Sequence, residues 1–378
     1  MGGRTSVTFW GWVLSYADDG SEMEFKKRSI RTDGRRIHAI GTVKPASYDF
    51  SGVAMPTLEN AHAHLADRKL TVPPGTPIAD VVRPPDGLKH RYLKTASEEE
   101  VVTSIRAGIE DQIRCGATRA HEFREGGIEG AKAYRKALDG LPPEKREHFA
   151  PVLLGRPGNM AERPKEEKAF WQKMRRLLAV CDGLGLSSIS DGDAAWNAEL
   201  ARFARSEGKR VEVHCSEGAR EPVEAAIEAG AQQVVHMIHG TAQDFVRLKD
   251  ARVPVAVCTR SNDFFGLRAP VDLMTKAGID IRIGTDNAFL GSPDMFAEAR
   301  AFAHAHKAKS GLNALQILSF LLRRKDLNGG LAIAPREASQ PNFLIVQIQT
   351  ERPDRDLLAR AKGEDVAAVV GPQVGEVR

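Results

Sequence analysis

Residues 53 to 65 read Val-Ala-Met-Pro-Thr-Leu-Glu-Asn-Ala-His62-Ala-His64-Leu. Two histidines two apart, at the end of an extended apolar run, fall on the same side of a strand because side chains alternate with period 2. Both imidazoles can then face one point, as the first two ligands of a metal ion must. A lone His-x-His can arise by chance among 11 histidines in 378 residues, so later stretches decide its meaning. Three of them end apolar runs in groups of the same kind: Arg210-Val-Glu-Val-His214-Cys-Ser-Glu217, Gln-Val-Val-His236-Met-Ile-His239 and Ile281-Arg-Ile-Gly-Thr-Asp286-Asn.

His62, His64 and His214 offer three neutral nitrogen donors, and Asp286 offers an oxygen. That set suits one Zn²⁺ first and Fe²⁺ second, since Mg²⁺ and Ca²⁺ prefer oxygen shells. A divalent ion so held lowers the pKa of a bound water toward about 7, which supplies a nucleophile at neutral pH. Asp286 could also receive or orient that water's proton. Glu217, three residues past His214, fits a proton shuttle; the plain alternative is a helix N-cap or surface acid. His236 fits a group that polarises the substrate or touches the metal. His239 differs from it by an odd number, so a regular strand aims only one of them inward, and His236 is the choice. Glu212 shares the parity of His214, and Arg282 that of Asp286. Both should point inward, where they could satisfy one another or steady the ligands from beneath.

The elements that must position these groups form a regular series. Strand patterns near 53–60, 117–123, 150–156, 183–190, 210–215, 232–236, 254–259 and 279–285 alternate with helical ones. Several of the helices end in glycine (Gly116, Gly208, Gly230, Gly278). Eight strand–helix units over about 275 residues match a closed (β/α)₈ TIM barrel, with the polar groups at the C-terminal strand tips. A doubly wound open sheet is the runner-up, but the Gly-rich phosphate turn after its first strand is missing. The barrel is expected over 53–335. Strand-like segments at 6–17, 22–41, 342–349 and 365–370 should join as a small β-sandwich built from 1–52 and 336–378. A further amphipathic helix is expected at 313–328. The Pro-rich stretch 65–96 is out of scale for a connection and reads as a lid or subunit contact.

With these residues placed, the chain resembles the amidohydrolase superfamily, close to its cytosine deaminase and chlorohydrolase-like branch. The resemblance runs from Met55 to about Pro293 and rests on MPTLENAHAH, VHCSE, VVHMIHG and IGTDN, in that order. It implies one catalytic metal on His62, His64, His214 and Asp286, with Glu217 and His236 as catalytic groups. Binuclear members carry a bridging lysine at the fourth strand. Here Gly183-Leu-Gly-Leu-Ser-Ser-Ile-Ser190-Asp191 has none, which implies a mononuclear centre. The first motif departs twice, with Thr57 where glycine is common and Glu59 where an apolar residue is usual.

Arg124, Arg156 and Arg260 follow the second, third and seventh strands. At a barrel mouth they would suit a carboxylate or phosphate, so a small-molecule substrate carrying an anionic group is expected. The alternative makes them ion-pair partners of Glu122, Glu125 or Asp191. The expected reaction is hydrolysis of a C–N bond, as in deamination of a nitrogen heterocycle. The enzymatic rival opens a cyclic amide or, as another amidine hydrolase, removes a different leaving group from the same kind of centre; a non-catalytic barrel scaffold is the rival of another class. A net charge of +4 with no basic block interleaved with aromatics does not suggest nucleic-acid binding. No apolar run approaches a membrane span, and the N-terminus lacks a secretory pattern. Its Met1-Gly2 start formally fits a myristoylation pattern, which reads as chance without a second lipid signal. Four widely spaced cysteines read as reduced, buried residues of a cytoplasmic protein, and a homo-oligomer stays open.

Overall fold

A computed structural model describes residues 6–16, 23–157, 167–190, 193–322 and 342–371. Its first sheet takes strands from both ends of the chain: β1 (Val7–Tyr16), β2 (Met23–Thr32), β3 (Ile37–Gly41) and β4 (Phe50–Pro56). The second is built from β5 (Leu58–His64), β6 (Ala117–Arg124), β7 (Ala150–Gly155), β8 (Gly183–Leu186), β9 (Arg210–Cys215), β10 (Gln233–His236), β11 (Val255–Val257), β12 (Ile281–Ile283) and β13 (Asp286–Asn287). Late in the chain, β14 (Phe343–Val346) and β15 (Val366–Val370) return to the first sheet. Its order is β15-β14-β4-β1-β2-β3, so β4 lies between a strand from each end. The expected pairing of the two ends is therefore present, as one six-stranded sheet. It buries its own apolar cluster of Phe9, Val13, Ile30, Ile37, Phe343 and Ile345.

The second sheet is all parallel in the order β12-β11-β10-β9-β8-β7-β6-β5-β13. Parallel strands flanked by helices are buried on both faces, which is why they read as near-continuous apolar runs. The sheet curls in the manner of a TIM-like barrel. Its edge strands β12 and β13 are two pieces of one run, which hands its hydrogen bonds from Val257 to His62 across Gly284 and Thr285. A side chain at Gly284 would strike the His62 backbone nitrogen at 2.8 Å, so only glycine lets the two strands approach there. Inside the curl, Ala61, Phe123, Val152, Leu154, Val235 and Ala256 form a separate apolar cluster.

The expected first barrel strand, 53–60, is in fact shared. Residues up to Pro56 belong to the six-stranded sheet, and the barrel strand begins at Leu58. Proline has no N–H to continue a ladder. Thr57 marks the crossing: its hydroxyl donates to Asn342 and accepts from Thr118, both at 2.8 Å. That accounts for threonine at this point of the motif.

Between the strands lie helices with ordinary end chemistry. In helix Glu98–Arg114 Ser97 caps the first turn, accepting from the Glu100 N–H. Thr241 and Asp244 form a capping box on helix Ala242–Asp250. The four predicted glycine stops all adopt positive φ, between 69° and 81°. The 65–96 stretch folds as α1 (Ile78–Val82) and α2 (Leu88–Thr95), a cap over the C-terminal strand tips. Helix Ala314–Ser319 covers the start of the expected 313–328 element, whose last turns, like residues 1–5, lie outside the described residues. The four cysteines are buried and free. No described helix is long and apolar enough to cross a membrane.

Candidate metal centre

His62 and His64 do point the same way from β5, and their rings lie 4.8 Å apart. His214, at the end of β9, brings its ring within 4.8 Å of His62 and its Nε2 within 3.4 Å of the His64 Nε2. Asp286 enters from β13, with Oδ1 3.4 Å from His62 Nε2 and 3.7 Å from His64 Nε2. His62, His64 and Asp286 form one compact donor group, and His62, His214 and His236 another, with ligand atoms within 4.8 Å in each. Phe123 packs its ring edge-on against His62 at 4.5 Å and His214 at 4.9 Å, giving the imidazoles an apolar floor.

Backbone conformation sharpens this placement. Ser216, His236, Met237 and Asp286 all have φ between 52° and 74°, although none is glycine. Non-glycine residues there cost energy and recur at functional sites. These turns end β9 and β10 abruptly and swing His236 and Asp286 toward the centre. His239, by contrast, is exposed.

The protonation pattern tests whether these residues suit a cation. His214 Nδ1 donates to the Leu186 carbonyl at 2.9 Å, and His64 Nδ1 lies 2.9 Å from Glu125 Oε1. A neutral imidazole carries one proton; with that proton on Nδ1 in both rings, the two Nε2 atoms face each other as lone pairs. His62 is fully buried and finds no well-formed hydrogen bond for either ring nitrogen. Burial holds His64 down to about 3 and His214 well below the usual histidine value. Burial would raise Asp286, yet the His62 ring 3.4 Å away and the other surrounding imidazoles keep it well below the carboxylate range. Neutral nitrogens and an ionised oxygen, converging with unsatisfied lone pairs, are what a divalent ion requires. The residues fit the ion.

The centre opens into a cavity of about 500 Å³ whose wall includes Glu217, His236, Asp286, Lys89 and Arg156. Residues Ile78, Val82 and Arg83 of the cap and Ser187 and Ser188 after β8 also line it. Glu217 Oε1 lies 3.4 Å from His236 Nε2. Burial raises the Glu217 pKa, against the pull of His236. Ser261 donates to Asp286 Oδ2 at 2.5 Å and fixes that carboxylate's second oxygen.

Of the three arginines only Arg156 lines the cavity, and it also reaches Glu125 Oε1 at 3.2 Å. Arg124 is buried beside Glu125, 3.4 Å from Oε2, so the ion-pair alternative describes it better. Arg260 sits on helix Thr259–Phe264, because β11 stops at Val257. There its guanidinium bonds the Ser292 carbonyl and faces Glu298, away from the cavity lining.

Beneath the centre the expected Glu212–Arg282 contact is indirect. Glu212 accepts from His121 Nδ1 at 2.8 Å, Arg210 at 3.0 Å and Gln233 at 3.0 Å, while Arg282 reaches only the other end of Gln233. His121 Nε2 lies 2.7 Å from Glu59 Oε1, so the imidazole bridges two buried carboxylates. Burial would neutralise all three. The mutual attraction wins: His121 is raised, and Glu59 and Glu212 fall to about 2. Glu59 thus departs from the motif because β6 supplies it with a cation. Sequence reasoning missed His121, Ser261, Asp67 and Lys89; only the polar Glu59 on an apolar strand signalled a hidden partner.

The Amidohydrolase family model matches residues 53–321. A putative aminohydrolase of Methanothermobacter thermautotrophicus is 31% identical over 260 residues, which span 64% of this chain and 65% of that protein. The fold resembles a zinc-bound adenosine deaminase from Xanthomonas campestris, with a TM-score of 0.71 and 16% identity over 97% of this chain and 93% of that one. It also resembles a zinc-bound atrazine chlorohydrolase from Arthrobacter aurescens, with a TM-score of 0.70 and 16% identity over 98% and 96% of the two chains. A match across most of the barrel, with the histidines and aspartate converging as described, establishes that the chain belongs to the Amidohydrolase family.

Proposed function

We propose that this chain is a mononuclear metal-dependent hydrolase of C–N bonds that deaminates a nitrogen heterocycle. The observation that carries it is the convergence of three imidazoles and the Asp286 carboxylate at the floor of a cavity whose wall bears a second carboxyl, Glu217, 3.4 Å from His236. In this reading the curled sheet, from Leu58 on, is a (β/α)₈ barrel, and the six-stranded sheet that includes β4 is one layer of a flanking β-sandwich.

His62, His64, His214 and Asp286 would hold one Zn²⁺, with Fe²⁺ as second choice. Such an ion, when bound, lowers the pKa of a water and polarises the carbon to be attacked. Asp286 orients that water through the carboxylate that Ser261 holds in place. Glu217 stands where a carboxyl can pass a proton to the departing nitrogen, and burial shifts it in the direction that favours the protonated form. His236, 3.4 Å from Glu217, presents its ring to the same substrate atom's neighbourhood and polarises it. The amine C–N bond breaks and a C=O bond forms from the water oxygen; one water hydrogen passes to the adjacent ring nitrogen and the other to the amino group, which leaves as ammonia.

Arg156 would grip an anionic group on the substrate. The free, buried cysteines support a reducing, cytoplasmic setting. The test is ammonia release from purines, pterins, pyrimidines and triazines by the Zn²⁺-loaded chain. Ammonia from one heterocyclic class is the expected result. Ring opening without ammonia would favour cyclic-amide hydrolysis, and a folded chain inert toward all classes and free of metal would favour the scaffold.

A further inference from the structure

The cap is joined to the sheet in an unusual way. In α2 the buried side chain is not apolar but Lys89, which is 2% exposed. In α1 the buried residue is Val81 alone. The far end of α2 is held by Tyr92, whose hydroxyl donates to Glu100 at 2.8 Å, and by Leu93 packed on the core. The near end, the one that faces the metal centre, rests on an ammonium.

That ammonium is committed to groups that carry the ligands. Lys89 Nζ donates to Asn287 Oδ1 at 2.7 Å and lies 2.8 Å from Glu125 Oε1 and 3.6 Å from Asp67 Oδ2. Asn287 follows Asp286 directly. Glu125 holds the Nδ1 of His64 at 2.9 Å. Asp67 accepts the backbone N–H of Ala288 at 2.9 Å, tying the segment after β5 to the segment after β13. A buried charge left without these partners would be costly, so the lysine can stay inside only while Glu125 and Asn287 are correctly placed.

We propose that Lys89 is a positioning residue that locks the cap to the metal centre: the cap is held down when His64 and Asp286 are in ligand geometry, and the ligands are held in geometry when the cap is down. This rests on the reading of His64 and Asp286 as metal ligands. Partners of ligating histidines affect metal affinity by roughly ten- to a hundred-fold. A coupling between two elements is also reciprocal.

The test combines Zn²⁺ competition against a chromophoric chelator with hydrogen exchange of residues 78–95. In the wild-type chain, stripping the metal should speed exchange across 78–95, and Zn²⁺ should restore protection. Lys89→Met should bind Zn²⁺ about ten- to a hundred-fold more weakly. Its cap should exchange fast with or without the ion. Because Lys89 acts on His64 through Glu125 and on Asp286 through Asn287, the Lys89→Met/Glu125→Gln double variant should bind Zn²⁺ more weakly than Glu125→Gln alone, but by less than the product of the two single losses. If Lys89→Met fails to fold, the wild-type comparison of stripped and loaded chains still decides. Wild-type affinity in Lys89→Met, or a wild-type cap whose exchange ignores Zn²⁺, overturns the inference. A wild-type chain that takes up no Zn²⁺ overturns the proposed function with it, whereas a bound ion with an unresponsive cap overturns this inference alone.

Discussion

Glu217 and His236 stand 3.4 Å apart at the cavity wall, one from the loop after β9 and the other from the last residue of β10. His236 also groups with His62 and His214, and Glu217 and His236 together group with Asp286, so the pair stands directly beside the proposed ion. Glu217→Gln keeps the shape and removes the transferable proton. It should lower kcat by about 10²–10⁴-fold. Metal content, read by elemental analysis, should stay at the wild-type level. Full activity in this variant would return Glu217 to the role of a surface acid.

Arg156 is the arginine of the expected three that reaches the cavity, and its charge also faces Glu125. Charge-assisted hydrogen bonds contribute roughly 1.5–3 kcal/mol, so Arg156→Ala should cost about ten- to a hundred-fold in kcat/KM on an anionic substrate. A neutral analogue should lose much less. Equal kcat/KM for variant and wild type on the true substrate would remove the anionic group from the proposal.

The Glu59–His121–Glu212 bridge gives a pH prediction. His121 is raised above its ordinary 6.5, so its stabilisation is fully present below that pH and is lost as pH rises through the folded value. Glu59 and Glu212 fall from 4.5 to about 2, so their share is present above 4.5 and lost as pH falls toward 2. His121→Gln strands two buried carboxylates and should cost about 3–5 kcal/mol. The Tm gap between wild type and variant should be widest between 4.5 and 6.5 and narrow on either side. Thermal melts across pH check this; a gap independent of pH would show that the bridge is not ionised.

What the sequence revealed, and what it hid, follows from how local each signal is. The shared face of His62 and His64 is a property of two neighbouring residues on one strand, and alternation alone exposes it. His214, Glu217, His236 and Asp286 were legible because each ends an apolar run, where parallel strands place their tips together. Arg260 misled because Val255–Val257 is too short to carry it to the mouth before a helix begins. Lys89 was invisible: it lies in a Pro-rich stretch without period, and an ammonium on a short helix ordinarily points to water. His121 was hidden for the opposite reason, since a histidine inside an apolar strand gives no hint of carboxylates on two other strands. The sharing of 50–64 between two sheets was masked by an unbroken apolar run, in which Pro56 was the one mark of a boundary.

The central claim concerns one ion. His64 and His214 bring their Nε2 atoms to 3.4 Å from each other, with Asp286 held well below the carboxylate range beside them, an arrangement that a divalent cation satisfies. The most direct measurement is elemental analysis of the purified chain alongside His214→Ala and His62→Ala, with folding checked by circular dichroism. About one equivalent of Zn or Fe per wild-type chain, and close to none in either folded variant, is the expected result. A wild-type chain that is folded, hydrolytically active and metal-free would contradict it.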